Sequence, residues 1–229
     1  IFCTANLLPL VKIKPSVYRL TLKRIKTFLL VGGKFMLPLL VYAILSWLND
    51  NIGKYYLVVN GLSYIIIGSY IGVSSIVLKI IFTLSAGFDF IVTEKLFQKK
   101  IDFSGIKRLF IVFFSFGIIS TLTLFLFSET LIKLFLNKDY LDAVHLVLPL
   151  GISALLIKYI HLTESIFLRF GYTKFNLIGY AILISCYVTS IILVTEKSPE
   201  LMCYSQLISC LISASFMSLC LFFVVKKEV

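Results

Sequence analysis

The stretch that decides the fold is LFIVFFSFGIISTLTLFLF, residues 109–127, which contains no charged side chain. A helix needs about 20 consecutive apolar residues to cross the hydrocarbon of a bilayer. This run has that length, and it predicts a transmembrane helix.

Five further apolar runs of similar length flank this one, at residues 28–48, 62–90, 144–168, 175–194 and 202–225. The chain has 229 residues, of which only 14% are charged, and its mean hydropathy is +1.01. A soluble domain carries about 25% charged residues, so this surface is suited to lipid rather than water. The sequence therefore predicts an all-α polytopic membrane protein with about six transmembrane helices.

The basic residues separate by side of the membrane. Sixteen of the 22 lie on or close to alternate connections, four lie on the opposite connections, and Lys79 and Lys158 lie deep within spans. The sixteen are Lys12, Lys14, Arg19, Lys23, Arg24, Lys26, Lys34, Lys95, Lys99, Lys100, Lys107, Arg108, Arg169, Lys174, Lys226 and Lys227. The positive-inside rule places that set in the cytoplasm. Because the net charge of +11 is distributed in this way, it is read as topology, and no nucleic-acid partner is expected.

The amino-terminal region divides into three parts. Residues 1–11 are apolar and begin without Met, which indicates the tail of a preceding transmembrane helix and a chain that is a fragment of a longer protein. Residues 12–27 form a basic cytoplasmic linker, either a helix lying on the inner leaflet or a solvated segment. Residues 28–229 form the six-helix region.

In the second span, small residues recur at helical spacing around a lysine. Lys79 shares one face with Gly68, Gly72, Ser75, Thr83 and Ala86, whereas Ile66, Ile81 and Leu84 lie on the opposite face. An ionisable residue within a span usually faces the interior of a bundle or a water-filled cavity. We therefore expect a cavity role for Lys79, with a structural ion pair as the alternative.

The fourth span has a similar polar face. Lys158 and His161 share it, and Glu164, three residues after His161, lies at its edge and can pair with it. Lys158 has the same two interpretations as Lys79. For His161, hydrogen bonding inside the bundle is favoured over a proton relay.

At the end of the first span, Asp50 and Lys54 are four residues apart, which suits either a surface salt bridge or a cavity role. The sequence has no G-x-S-x-G, H-E-x-x-H or phosphate-binding glycine loop. The five cysteines form no C-x-x-C, so no metal site and no cofactor are expected.

Four segments together resemble a known family. They are GKFMLPLLVYAILSWLNDNIGKYYLV (33–58), IIIGSYIGVSSIVLKIIF (65–82), LFLNKDYLDAVHLVLPLGISALL (134–156) and LRFGYTKFNLIGYAILI (168–184). In order and spacing they resemble the polysaccharide flippases of the multidrug/oligosaccharidyl-lipid/polysaccharide exporter superfamily. The family's second lobe has a proline-bearing helix, an acidic-then-basic pair and a G-x-Y, which correspond here to Pro38, Asp50 with Lys54, and Gly68 with Tyr70. Asp89 departs from the small residues of that family.

The resemblance implies a two-lobed transporter bundle of which this chain is the C-terminal lobe. The implied function is translocation of a polyprenyl-diphosphate-linked oligosaccharide across the bacterial cytoplasmic (inner) membrane, for surface polysaccharides such as the lipopolysaccharide O-antigen. The implied partners are this lipid-linked oligosaccharide, membrane lipids, the N-terminal lobe and a polysaccharide polymerase. Lys79 and Lys158 would offset the charge of the diphosphate, and Asp50, Lys54, His161 and Glu164 would line the cavity.

Three other functions stay open. A cation-coupled multidrug exporter of the same fold would favour carboxylates over lysines within the spans. A membrane enzyme, such as a polymerase or acyltransferase, would need a large external loop with Arg or His, whereas the predicted outer loops are short. A scaffold or a truncated fragment would need none of these features. A transporter, and not an enzyme, is the favoured interpretation.

Overall fold

The structure is a computed structural model that describes residues 15–97, 103–193 and 197–228. In order, its helices are α1 (Pro15–Val59), α2 (Tyr64–Phe97), α3 (Phe103–Leu126), α4 (Ser128–Phe135), a 3₁₀ helix (Lys138–Leu146), α5 (Val147–Arg169), α6 (Thr173–Leu193) and α7 (Pro199–Glu228). The described residues contain no strand. Long apolar segments form helices because lipid offers no hydrogen bonds, so each backbone group must be satisfied within its own segment.

Five segments of the described chain are long and apolar enough to cross a membrane: Tyr64–Val92, Ser104–Leu126, Lys138–Arg169, Thr173–Leu193 and Pro199–Val224. The protein is therefore a multi-pass α-helical membrane protein, and the prediction of about six spans is close. The first predicted span, residues 28–48, lies on α1, but many of its side chains are outside the described residues.

The amino-terminal parts are described only from residue 15 onward, so the predicted helix tail at residues 1–11 lies outside the described residues. Within the predicted linker, residues 15–27 are helical and continuous with the rest of α1. The chain divides into two compact units, Ile1–Leu40 and Val41–Val229. The site described below lies wholly within the second unit.

The central helix of the second unit is α5. Of the most apolar 18-residue stretch of its span, 78% is buried inside the bundle. The corresponding buried share in the other four spans is 22% to 44%. Helix α5 contacts α2, α3, α6 and α7. Polar residues on α5 are therefore held away from lipid by the surrounding helices.

The helices α6 and α7 approach closely at one glycine. The Ser213 hydroxyl of α7 donates a hydrogen bond to the carbonyl oxygen of Gly179 on α6, at 2.8 Å. The buried side chain of Met217 packs against Gly179, where an added methyl group would collide with the Met217 sulfur. Small residues at such crossings let membrane helices pack backbone to backbone.

Two helix ends turn on glycine in the left-handed region. Gly61 has φ 70° after α1, and the Leu62 amide donates to the Leu57 carbonyl at 3.4 Å. The same arrangement recurs after α5 at Gly171, where φ is 76°. These 6→1 bonds satisfy carbonyls that the helix end leaves unpaired, and they permit short hairpins between consecutive spans.

One end of the bundle carries a cap formed by α4 and the 3₁₀ helix. The side chain of Leu136, which follows α4, packs on Gly72 of α2, and Tyr140 of the 3₁₀ helix packs beside Gly68. Ser128, Ile132, Ala143 and Leu146 of the cap are buried. The cap therefore covers the first turns of the small-residue face of α2.

Candidate functional site

The most buried cation described in the bundle is neutralised by a carboxylate from the neighbouring helix. Lys158 of α5 forms a hydrogen-bonded ion pair with Asp89 of α2. The lysine side chain is 9% exposed and that of Asp89 is 46% exposed. The Lys158 ammonium also lies 5.7 Å from the ring centroid of Phe82, a distance suited to a cation–π contact. Two spans are thus linked by charge as well as by apolar packing.

His161 lies one turn further along α5, in an aromatic setting. Its ring centroid is 5.9 Å from that of Phe82 and 6.4 Å from that of Tyr180. Its Nε2 is buried and has no hydrogen-bond partner among the described residues. The pair expected between His161 and Glu164 is not formed, since Glu164 points to a different set of groups.

Glu164 is buried among hydroxyl and amide groups contributed by α1 and α6. Its carboxylate lies within interaction distance of the Tyr42 hydroxyl, which is 3.1 Å from the Tyr180 hydroxyl. The amide nitrogen of Asn176 donates to the Glu164 backbone carbonyl at 3.5 Å. The Asn176 side-chain oxygen is buried and has no partner among the described residues.

Together these residues form a polar cluster, defined as Asp89, Lys158, His161, Glu164, Tyr42, Tyr180 and Asn176. A buried polar atom without a hydrogen bond raises the free energy of the folded state. Two such atoms, His161 Nε2 and Asn176 Oδ1, occur here beside ionisable groups. The described residues contain no group of three or more His, Cys, Asp or Glu side chains suited to a metal. The chemistry available to the cluster is ion pairing, hydrogen bonding and proton exchange.

Lys79 lies apart from this cluster, on an open face of α2. It is exposed, as are Thr83, Ala86 and Phe90, which follow it at helical spacing. Ile81, on the opposite side of the helix, is only 2% exposed. From Lys79 onward the small-residue face of α2 is thus exposed, and the side of the helix that carries Val77 and Ile81 packs into the bundle. Two residues predicted to lie opposite the small residues, Ile66 and Leu84, are instead 39% and 45% exposed.

The depth of Lys79 follows from its neighbours. Val77, half a turn earlier, lines a small apolar cavity with Leu124 near the end of α3 and Val147 at the start of α5. Two residues advance a helix by about 3 Å. Lys79 therefore lies near the capped end of the bundle, which the distribution of basic residues predicts to be external. A lysine stem is long enough to bring its ammonium toward the interface from there.

Asp50 and Lys54 lie near the end of α1 and do not pair with each other. Asp50 accepts a hydrogen bond from the side-chain nitrogen of Asn49 at 3.4 Å, and Lys54 donates to the side-chain oxygen of Asn51 at 3.5 Å. Of the six predicted site residues, only Lys158, His161 and Glu164 belong to the polar cluster.

Sequence reasoning missed the other members of the cluster. Asp89 carried a signal, because it is an acid inside the second predicted span and departs from the small residues of the family that the chain resembles. Tyr42, Tyr180 and Asn176 carried none, since they bear no charge and no residue spacing marks them out. Outside the cluster, His145 meets a carboxylate from a distant part of the chain, since its Nε2 lies 2.6 Å from a carboxylate oxygen of Glu200.

Comparison with known proteins gives no further assignment, because no protein-family model, curated protein or solved structure matches the chain. The fold and the polar cluster define a class, that of multi-pass α-helical membrane proteins with ionisable groups inside the bundle.

Proposed function

We propose that this chain is the C-terminal lobe of a flippase that moves a polyprenyl-diphosphate-linked oligosaccharide across the bacterial cytoplasmic membrane. The observation that carries the proposal is the open face of α2, where an exposed lysine, Lys79, is followed by Thr83 and Ala86. The resemblance of four segments to the polysaccharide flippases supplies the substrate class.

The diphosphate is the difficult part of such a substrate. Its charge must pass through about 30 Å of hydrocarbon, and the attraction of an ammonium group for phosphate strengthens as water is excluded. Lys79 is suited to this role because it makes no ion pair with a described residue. Lys158 is less suited, because Asp89 already neutralises its charge.

In this proposal the open face of α2 lines a cavity shared with the N-terminal lobe of the longer protein. Because Lys79 lies near the capped end, its ammonium would meet the diphosphate late in the crossing, before release into the outer leaflet. Rocking of the two lobes would expose the cavity to each side in turn. The polyprenyl tail would stay in lipid throughout.

A cation-coupled multidrug exporter is the second candidate, and the polar cluster favours it. Glu164 is buried without a cationic partner among the described residues, and Asp89, which pairs with Lys158, has a side chain that is 46% exposed. Intramembrane carboxylates of this kind are typical of proton-driven transporters. In that function, transport would depend on Glu164 and on the cation gradient, and Lys79 would be dispensable.

The two candidates are separated in a bacterial strain whose surface polysaccharide depends on the full-length protein. Under the flippase proposal, Lys79→Ala abolishes surface polysaccharide at normal membrane abundance, and Lys79→Arg retains part of it because the charge persists. Lys138→Ala, an exposed lysine of the cap, is the matched control and leaves polysaccharide unchanged. Normal polysaccharide in Lys79→Ala, with loss of drug efflux in Glu164→Gln, would favour the exporter instead.

A further inference from the structure

A groove runs along the outer surface of the bundle between α3 and α7. It has a volume of about 430 Å³ and is lined by Phe110, Phe114, Ser115 and Ile118 of α3 and by Leu221 and Phe222 of α7. Apart from Lys107 and Ser115 its walls are wholly apolar. The groove belongs neither to the open face of α2 nor to the polar cluster.

One end of the groove carries positive charge. Lys107 is part of the lining and is exposed. On α7, the exposed Lys226 follows Phe222 by four residues and so lies on the same face, one turn further toward that end. Both lysines belong to the set that the positive-inside rule places in the cytoplasm, where the inner leaflet carries anionic headgroups.

The length of the groove fits one leaflet. From Lys107 to Ile118 the helix advances about 16 Å at 1.5 Å per residue, and half of the hydrocarbon core is about 15 Å. An acyl chain whose headgroup lies beside Lys107 would therefore follow the groove as far as the middle of the bilayer.

We propose that this groove is a binding site for an anionic phospholipid of the cytoplasmic leaflet, with the acyl chain between α3 and α7 and the phosphate between Lys107 and Lys226. The two lysines would favour a negatively charged headgroup, and the aromatic walls of the groove would pack against the acyl chain. The proposal does not depend on which substrate the protein transports.

Native mass spectrometry of the purified chain in detergent, titrated with phosphatidylglycerol or phosphatidylcholine, tests it. We expect one phosphatidylglycerol to be retained in preference to phosphatidylcholine. Each of Lys107→Gln and Lys226→Gln should weaken that preference about 5-fold, since a lysine near an anionic surface contributes about 1 kcal/mol. Ser115→Phe fills the groove and should remove retention of both lipids.

Two control variants make the same kinds of substitution outside the groove. Lys174→Gln removes an exposed lysine at the same end of the bundle, and Val112→Phe enlarges an exposed residue of α3 on another face. Neither should alter retention. Equal retention of the two lipids by the unmodified chain would overturn the proposal. So would unchanged retention in Ser115→Phe, even if the lysine variants lost their preference, because the headgroup would then bind without the groove.

Discussion

Lys158 and Asp89, on spans separated by 69 positions in sequence, form an ion pair whose lysine side chain is only 9% exposed. Breaking a buried pair leaves an uncompensated charge in a medium of low dielectric. The pair therefore accounts for the presence of an acid inside the second predicted span.

The first prediction concerns the stability of this pair. Asp89→Asn should lower the free energy of unfolding by about 3 kcal/mol, the lower end for a broken buried pair, since Asp89 is 46% exposed. The measurement is the thermal midpoint of the purified protein in detergent. Asp142→Asn, which changes an exposed acid of the cap, is the control. The double variant Asp89→Asn/Lys158→Met should recover part of the loss. Equal midpoints for Asp89→Asn and Asp142→Asn would show that the pair contributes nothing.

The second prediction concerns the two faces of α2. In a background with all native cysteines replaced, a cysteine at position 79 should react with a water-soluble thiol reagent, and one at position 81 should be protected. The reason is that Lys79 is exposed whereas Ile81 is 2% exposed. Labelling of intact cells and of denatured protein gives the accessible fraction and its control. Equal protection at both positions would remove the argument for a hydrated face.

The third prediction concerns the packing of α6 on α7. Gly179→Ala should lower the free energy of unfolding by about 1–3 kcal/mol, because Met217 fills the space beside Gly179 and is itself fully buried. Gly87→Ala is the matched control, since an added methyl group there meets no atom within 4 Å. That control should be neutral or stabilising, because alanine is the better helix former. A stable Gly179→Ala protein would mean that the two helices are further apart than described.

The fourth prediction concerns topology. Reporter fusions after Lys100 and after Lys138 should read cytoplasmic and external respectively, because sixteen of the 22 basic residues lie on one set of connections. A fusion after Lys174 should agree with the first. The opposite readings would contradict the predicted orientation in the membrane. The cap of α4 and the 3₁₀ helix would then lie on the cytoplasmic side.

The spans were predictable because the bilayer thickness sets the length of an apolar run directly. The run at residues 109–127 ends one residue beyond α3, and the run at 175–194 ends one residue beyond α6. The short amphipathic α4 was not predictable in this way, since eight residues give no run of that length. The sequence therefore predicts only a short outer loop where the cap lies.

The candidate site was predictable only in part. Helical spacing correctly placed Gly68, Gly72 and Lys79 on one face of α2, but spacing does not say which face packs into the bundle. In the structure the Ile81 face is the packed one. The partnership of Lys158 with Asp89 depends on α2 lying beside α5, a contact that no local pattern encodes.

The most direct test of the central claim is a flipping assay in proteoliposomes that contain the full-length protein and a fluorescent polyprenyl-diphosphate oligosaccharide. The fraction of label accessible to a membrane-impermeant quencher reports transfer between leaflets. We expect rapid transfer with the unmodified protein, loss of transfer with Lys79→Ala, partial transfer with Lys79→Arg and unchanged transfer with Lys138→Ala. Transfer by Lys79→Ala at the rate of the unmodified protein would contradict the central claim.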